Sequence, residues 1–237
     1  MMSKLIGLSP SALNLFNDCQ RCFWLAKNKK MKRAEGIFPS LPRGMDKVLK
    51  ERYDVYRERN EMPPELIGKV RGVLFGDAVT LKRWRAWQST DLKYIDVEAN
   101  AVLSGALDDC LVDSDIFIPF DYKTNGYGYK PGGESYYQTQ LDSYELMLLA
   151  NGRKTCGIAY LGYYSPVEIP RVATSDAMRE NGIGVWAGFK CEPILVKTNP
   201  EAAKKLVREA VACLAGPMPD PDPGCDYCGM EIERRKL

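Results

Sequence analysis

Two acidic residues and a lysine carry the sharpest chemical signal in the chain. Asp108 ends Ser104-Gly105-Ala106-Leu107-Asp108, and thirteen residues on, Asp121 and Lys123 stand in Phe120-Asp121-Tyr122-Lys123-Thr124. Hydrolysing a phosphodiester requires neutral charge at the non-bridging oxygens and a nucleophilic water, and Mg²⁺ or Mn²⁺ held by one or two carboxylates supplies both. Lys123 adds a fixed positive charge beside such an ion. On a strand, residues two apart share a face, so Asp121 and Lys123 point to the site and Tyr122 points away. Asp91-Leu92-Lys93 has the same Asp-x-Lys spacing. It lacks both an upstream Gly-x-x-Asp and an apolar strand like Ile116 to Phe120 leading into it, and it is read as a decoy.

The elements that must position these residues follow from periodicity and punctuation. Ser9 as a cap, Pro10 in the first turn and apolar Leu13, Phe16, Phe23 and Leu25 predict one N-terminal helix over about residues 9–26. Phe38 to Gly44, punctuated by Pro and Gly, reads as a loop. Val48, Leu49, Arg52, Tyr53 and Tyr56 then set a helix over about 45–59, stopped by Met62-Pro63-Pro64. From about Tyr94 to Lys123, short apolar runs alternate with turn residues. Asp113-Ser114-Asp115 joins Cys110-Leu111-Val112 to Ile116-Phe117-Ile118, which predicts neighbouring strands and lets Asp108 and Asp121 meet at one sheet edge. A Gly-rich loop over 125–133 leads into a helix over 137–150, a strand from Cys156 to Tyr163 and a last helix from Glu201 to Ala215, ended near Gly216. Pro217, Pro219, Pro221 and Pro223 make an extended connector. This order is that of a mixed α/β domain.

Composition excludes whole classes of function. The 237 residues, 45% hydrophobic, suffice for a single domain over 1–237. No histidine occurs, which removes every mechanism that needs an imidazole base or ligand. The formal charge is only +2, so any nucleic-acid footprint must be regional. No apolar run can span a bilayer and no secretory signal is apparent, so a cytoplasmic protein without membrane attachment is expected. Eight cysteines in that compartment are not a disulfide framework. Cys19 and Cys22, with Cys225 and Cys228, form two Cys-x-x-Cys pairs at opposite ends of the sequence. They are either four unligated thiols or a thiolate set for Zn²⁺ or an iron–sulfur cluster, which would staple the N-terminal helix to the tail over 217–237. Cys110, Cys156, Cys191 and Cys213 are isolated and read as packed core residues. Lys82-Arg83-Trp84-Arg85-Ala86-Trp87 interleaves cations with indoles. It suits either stacking on single-stranded DNA or a surface helix with two buried tryptophans. Lys27 to Arg33 is similarly a solvated face or a phosphate track.

Leu8-Ser9-Pro10-Ser11-Ala12-Leu13 running into Cys19, Gly105-x-x-Asp108, Asp121-Tyr122-Lys123-Thr124, Gln140-x-x-x-Tyr144 and the C-terminal cysteines form an ordered series. In order and spacing it resembles the PD-(D/E)XK nuclease superfamily, in its RecB-like branch with exonuclease V and the CRISPR-adaptation nucleases. The resemblance covers most of the chain. It implies a restriction-endonuclease-like α/β core with a mixed central sheet flanked by helices. It further implies Asp108 and Asp121 as ligands of Mg²⁺ or Mn²⁺, Lys123 positioning the attacking water or stabilising charge, and Gln140 and Tyr144 on the helix facing the site. Spacing alone puts Gln140 and Tyr144 on one helical face. Relatives usually supply a histidine ligand from the early helix; here Asp46 is the substitute, with Asp54 or water as alternatives. The resemblance favours a [4Fe-4S] cluster over Zn²⁺ at the cysteines. Its usual pattern is one N-terminal and three C-terminal cysteines, so Cys22 replaces the missing third. The expected function is metal-dependent DNA hydrolysis, as an exonuclease on single-stranded ends in repair, recombination or defence, alongside proteins of those processes. The rivals are a non-catalytic DNA-binding module that keeps the fold and a metal-stapled interaction protein.

Overall fold

The computed structural model describes residues 5–33, 40–86, 91–167, 178–180 and 185–228. The chain opens with β1 (Ile6–Leu8), α1 (Pro10–Asp18), α2 (Gln20–Asn28) and α3 (Ser40–Glu58). The Ser9 hydroxyl caps α1 by accepting from the Ala12 N–H, and Pro10 sits in the first turn. The single helix expected over 9–26 is in fact two. Cys19, at φ −165° and ψ 109°, leaves helical space, closes α1 through its N–H to the Leu15 carbonyl, and caps α2 with its sulfur, which accepts from the Cys22 N–H at 3.4 Å. The next helix also begins earlier than expected. Residues 40–44 form the start of α3 instead of a loop, because the first helical N–H groups have no intrahelical partner and Pro42 therefore breaks no bond. Phe38 and Pro39 lie outside the described residues.

β2 (Val73–Leu74), α4 (Ala78–Trp84), β3 (Lys93–Asp96), β4 (Ala101–Ser104), β5 (Asp109–Asp113) and β6 (Ile116–Thr124) follow. A 3-10 turn over Gly133–Tyr137 leads into α5 (Gln138–Ala150), then β7 (Ile158–Pro166), β8 (Met178–Glu180), β9 (Val185–Ala187), β10 (Phe189–Lys197) and α6 (Pro200–Ala215). The central sheet has the order β10-β7-β6-β5-β2. Its β6–β7 pair is parallel and its other pairs are antiparallel, so the sheet is mixed. Parallel neighbours need a crossover, and α5 provides it. β1, β4 and β3 form a separate three-stranded sheet.

Two helices cover the two faces of β6. On one side, Leu49 and Tyr53 of α3 share a core with Leu111, Ile118, Phe120 and Tyr122. On the other, Leu141 and Met147 of α5 share a core with Cys110, Phe117, Leu161 and Tyr163. The period of two along β6 therefore sends its even residues to α3 and its odd residues, Asp121 and Lys123 among them, to α5. Every residue from Leu141 to Leu148 is buried, as befits a helix packed against α1, α6, β3 and β6 at once. No described helix is long and apolar enough to cross a membrane.

Candidate active centre and cysteine site

The β5–β6 hairpin sets the geometry. Its register pairs Asp109 with Phe120 and Asp113 with Ile116, and Ser114 turns the corner at φ 59°. One step beyond the first pair, Asp108 comes opposite Asp121. Asp121 is fully buried, and its carboxylate is held from two sides: Lys123 forms an ion pair with Oδ2, and the Gln140 amide donates to Oδ1 at 3.1 Å. The same amide donates to the Tyr144 hydroxyl at 2.6 Å, and the Gln140 Oε1 accepts from Lys123 at 3.2 Å. Tyr144 in turn donates to the Ala106 carbonyl at 2.6 Å. Gln140 and Tyr144 thus share a helical face, as their spacing requires, and tie α5 to the segment just before Asp108. A cavity of about 450 Å³ opens beside them, lined by Ser9, Asn14, Ser104 and Gly105 as well.

These surroundings perturb the ionisable groups. Burial, and next the charge of Asp108, raise the Asp121 pKa to about 7 even though Lys123 pulls it down. Burial disfavours the Lys123 ammonium, but Asp121 and Asp108 outweigh it and hold the lysine above its ordinary value. Burial, then Asp121 and Asp108, push Tyr144 well above its usual range, which keeps it a hydrogen-bond donor.

A residue that sequence reasoning missed completes the charge pattern. Lys50, on α3, reaches both Asp108 Oδ1 and Asp46 Oδ2 at 2.8 Å. Its ammonium stands between the two carboxylates. Burial lowers its pKa, but Asp108 and Asp46 raise it further, so the cation is favoured. Asp108 and Asp121 come within hydrogen-bonding reach of each other, but with Asp46 they do not close into a set of three at metal-binding distance; among the described residues only a cysteine group does so. Asp54, the alternative third ligand, is instead paired with Arg57 and with Arg85, the latter at 2.7 Å. The decoy is separate too: Asp91 pairs with Arg83 at 2.9 Å, and Lys93 begins β3 in the other sheet.

Behind the carboxylates lies a second buried aspartate, Asp109, on the α3 side of the sheet. It accepts from Arg57 at 2.5 Å, Arg85 at 2.9 Å, Tyr122 and the Cys110 N–H. Tyr122 therefore points away from Asp121, as alternation requires. Arg85 also donates through Nε to the Asp108 carbonyl at 2.7 Å, and the Leu107 N–H donates to the Trp84 carbonyl at 3.0 Å. The backbone carrying Asp108 is thereby fixed. Gly105 serves the same segment: a Cβ there would meet the Pro10 ring at 3.0 Å, so a side chain would push α1 away. Trp84 is 3% exposed and stacks on Phe75 at 5.2 Å. The Lys82–Trp87 segment is thus no stacking platform at Trp84, and Trp87 lies outside the described residues.

The four cysteines predicted as a set come together. Cys19, Cys22, Cys225 and Cys228 are all buried, with their sulfurs within 4.8 Å of one another. Cys19 lies 3.6 Å from Cys228, and Cys22 lies 3.7 Å from Cys225. Burial raises Cys22 to about 12. Burial also opposes ionisation of Cys225, but the Cys228 and Tyr227 N–H groups and the neighbouring thiols bring it down to about 7. Arg33 donates to the Cys225 sulfur at 3.5 Å. The proline connector is fastened by Arg21, which donates to the Pro219 carbonyl at 2.8 Å, and by Trp24, which donates to the Gly216 carbonyl at 3.2 Å. Of the isolated cysteines, Cys110 is core as expected, but Cys156 is exposed.

A mixed sheet flanked by helices, with two acids and a lysine converging from a hairpin, defines the architecture of a PD-(D/E)XK nuclease. The sequence matches the PD-(D/E)XK nuclease superfamily over residues 7–232, and the chain belongs to it. Members of that superfamily are usually metal-dependent nucleases. No curated protein matches the chain closely.

Proposed function

We propose that this chain hydrolyses DNA phosphodiesters with Mg²⁺ or Mn²⁺, attacking single-stranded ends. The observation carrying this reading is the juxtaposition of Asp108 and Asp121 with Lys123 across the β5–β6 hairpin. Two features fit a divalent cation. Asp121 is fully buried beside Asp108, with the Lys123 ammonium for a counter-charge. Lys50 already places a positive charge between Asp46 and Asp108. Carboxylate oxygens are the donors that hard ions such as Mg²⁺ and Mn²⁺ take. Asp108 and Asp121 would hold the ion, with Asp46 as the proposed third ligand.

When bound, the ion supplies positive charge to the phosphodiester and acidifies a water. The chain does the rest. Gln140 fixes the Asp121 carboxylate and the Lys123 ammonium with one amide, and Tyr144 fixes that amide. Lys123, on the same face of β6 as Asp121, would present its ammonium to the attacking water or to the charge that grows on the phosphate. Losing such a preorganised cation costs on the order of a hundredfold or more in rate. Lys123→Ala should therefore lose Mn²⁺-dependent cleavage of a labelled single strand, whereas Lys93→Ala should stay within a few-fold of the parent. A circular single strand should persist where a linear one is degraded. Binding without cleavage by the parent would leave a non-catalytic DNA-binding module.

At the cysteines we infer a single tetrahedral ion, Zn²⁺ being the natural candidate. Ligation at about 2.3 Å puts tetrahedral sulfurs about 3.8 Å apart. Two pairs, at 3.6 Å and 3.7 Å in a set whose sulfurs all lie within 4.8 Å of one another, suit that ion. A [4Fe-4S] cluster, which the family resemblance favours, needs its four thiolates spread around four irons. Elemental analysis of anaerobically purified protein should give stoichiometric zinc; stoichiometric iron with a brown chromophore would overturn this assignment.

A further inference from the structure

Downstream of Lys123 the chain builds a cluster of aromatic side chains for which the catalytic centre has no use. Tyr127 and Tyr136 are 88% and 72% exposed, an unusual position for rings of that size. With Tyr137 and Tyr163 they line an open cavity of about 260 Å³. The loop that displays Tyr127 is pre-set: the Asn125 carboxamide oxygen accepts from the Tyr127 and Gly128 N–H groups at 3.1 Å and 2.6 Å. Gly128 takes φ 76°, with its Cβ position 3.3 Å from Ser165 Oγ, so both conformation and space favour glycine there. Tyr136 meets Tyr137 edge to face at 5.0 Å.

Two cations frame the rings. Lys130 lies 5.5 Å from the Tyr127 ring centre, and Lys123 lies 4.3 Å from that of Tyr137. The nearby acid Glu134 accepts a hydrogen bond from Tyr129 at 2.7 Å. Tyr137 thus lines this cavity and touches Lys123 of the active centre. Exposed aromatic faces between phosphate-binding cations are what unpaired nucleotides need, because each base offers a π-face and each linkage a negative charge. A paired base keeps its faces inside the duplex stack and offers the rings nothing.

We propose that Tyr127 and Tyr136, with Lys130, form a stacking subsite for an unpaired base of single-stranded DNA next to the scissile phosphate. This inference rests on the nuclease reading for the direction of the strand, and its test separates the two. Binding is measured by anisotropy in the full-length protein carrying Asp108→Ala, with a labelled single strand and with a blunt duplex of the same sequence. Adding Tyr127→Ala and Tyr136→Ala should weaken single-strand binding by roughly tenfold or more, the size expected for losing base stacking. Duplex binding should move less than twofold. The fluorescence quenching of a 2-aminopurine base on binding should disappear with it, and Tyr127→Trp should keep both. Unchanged single-strand affinity, an equal loss on both substrates or failure of the tryptophan variant to bind would overturn the subsite. Cleavage is assayed separately with Asp108 restored: normal cleavage with unchanged binding removes the subsite alone. Tyrosine-dependent binding by a protein that cleaves nothing removes the nuclease reading alone.

Discussion

Asp109 and Asp121 are both fully buried, lie on the same hairpin, and are treated in opposite ways. Asp109 receives two arginines, a tyrosine hydroxyl and a backbone N–H, so its charge is matched on every side. Asp121 faces another carboxylate and has one lysine for a counter-charge. Burying one carboxylate beside another disfavours its charged form, and a fold gains nothing by that alone. The α3 side of the sheet is resolved for stability. The α5 side is left in tension, a pattern that is common at functional sites.

The largest effects should come from exchanging these two acids for their amides. Asp109→Asn removes the charge that buried Arg57 and partly buried Arg85 share, and breaking such a pair typically costs about 3–5 kcal/mol. Asp121→Asn removes a charge that the metal-free protein holds at a loss, so stability should change by less than about 1 kcal/mol or rise, while metal-dependent cleavage disappears. Urea unfolding in chelator, alongside a cleavage assay, gives both numbers. If Asp121→Asn destabilised as much as Asp109→Asn, the two sides of the hairpin would be equivalent and the contrast would fail.

The contrast shows why only part of this site was legible in the sequence. The family resemblance turned Gln140 and Tyr144 toward the site, but strand alternation placed Asp121 and Lys123, and helical spacing put Gln140 and Tyr144 on one face. Both are local rules. Lys50 was invisible because its i,i+4 partner Asp46 makes it look like an ordinary surface pair; only the long-range approach of α3 to β5 adds Asp108. Asp109 carried no signal either, since its arginines come from α3 and from the end of α4. The break at Cys19 was hidden for another reason: apolar spacing from Leu13 to Phe23 runs smoothly across one extended residue. Pro42 and Gly44 misled in the opposite sense, because loop-forming residues are also tolerated in a first helical turn. The Cys-x-x-Cys pairs were legible at any distance, since metal-ligand spacing is a pattern within each pair and needs no register between them.

A smaller effect should come from Lys50, which tests whether the tension at the site is regulated by the chain itself. If its ammonium occupies ground that a divalent ion would take, Lys50→Met should raise Mn²⁺ affinity. About tenfold is a reasonable size, because a charge near the surface acts through an effective dielectric near 20 and this side chain remains partly exposed. Titration calorimetry without DNA reads the change directly. A fall in affinity would instead make Lys50 the clamp that holds Asp46 and Asp108 ready.

The smallest effect is a dependence on pH that belongs to Asp121 alone. Its folded pKa, near 7, stands above the ordinary 3.8 because burial and then the Asp108 charge favour the protonated form. The metal-free native state therefore binds this proton more tightly than the unfolded chain does. That contribution to stability is complete below about pH 4, drains away as pH rises toward 7, and is absent above it. Other acids titrate in the same range, so the quantity to measure is the unfolding free energy of the parent minus that of Asp121→Asn, in chelator, at several values from pH 4 to pH 8. The difference should fall with rising pH and level off near 7. Mn²⁺ must displace the same proton, so its affinity for the parent should rise over that window and then flatten. A difference that stays flat, or that grows with pH, would mean that Asp121 is already ionised in the metal-free protein and that Lys123 alone suffices to hold it.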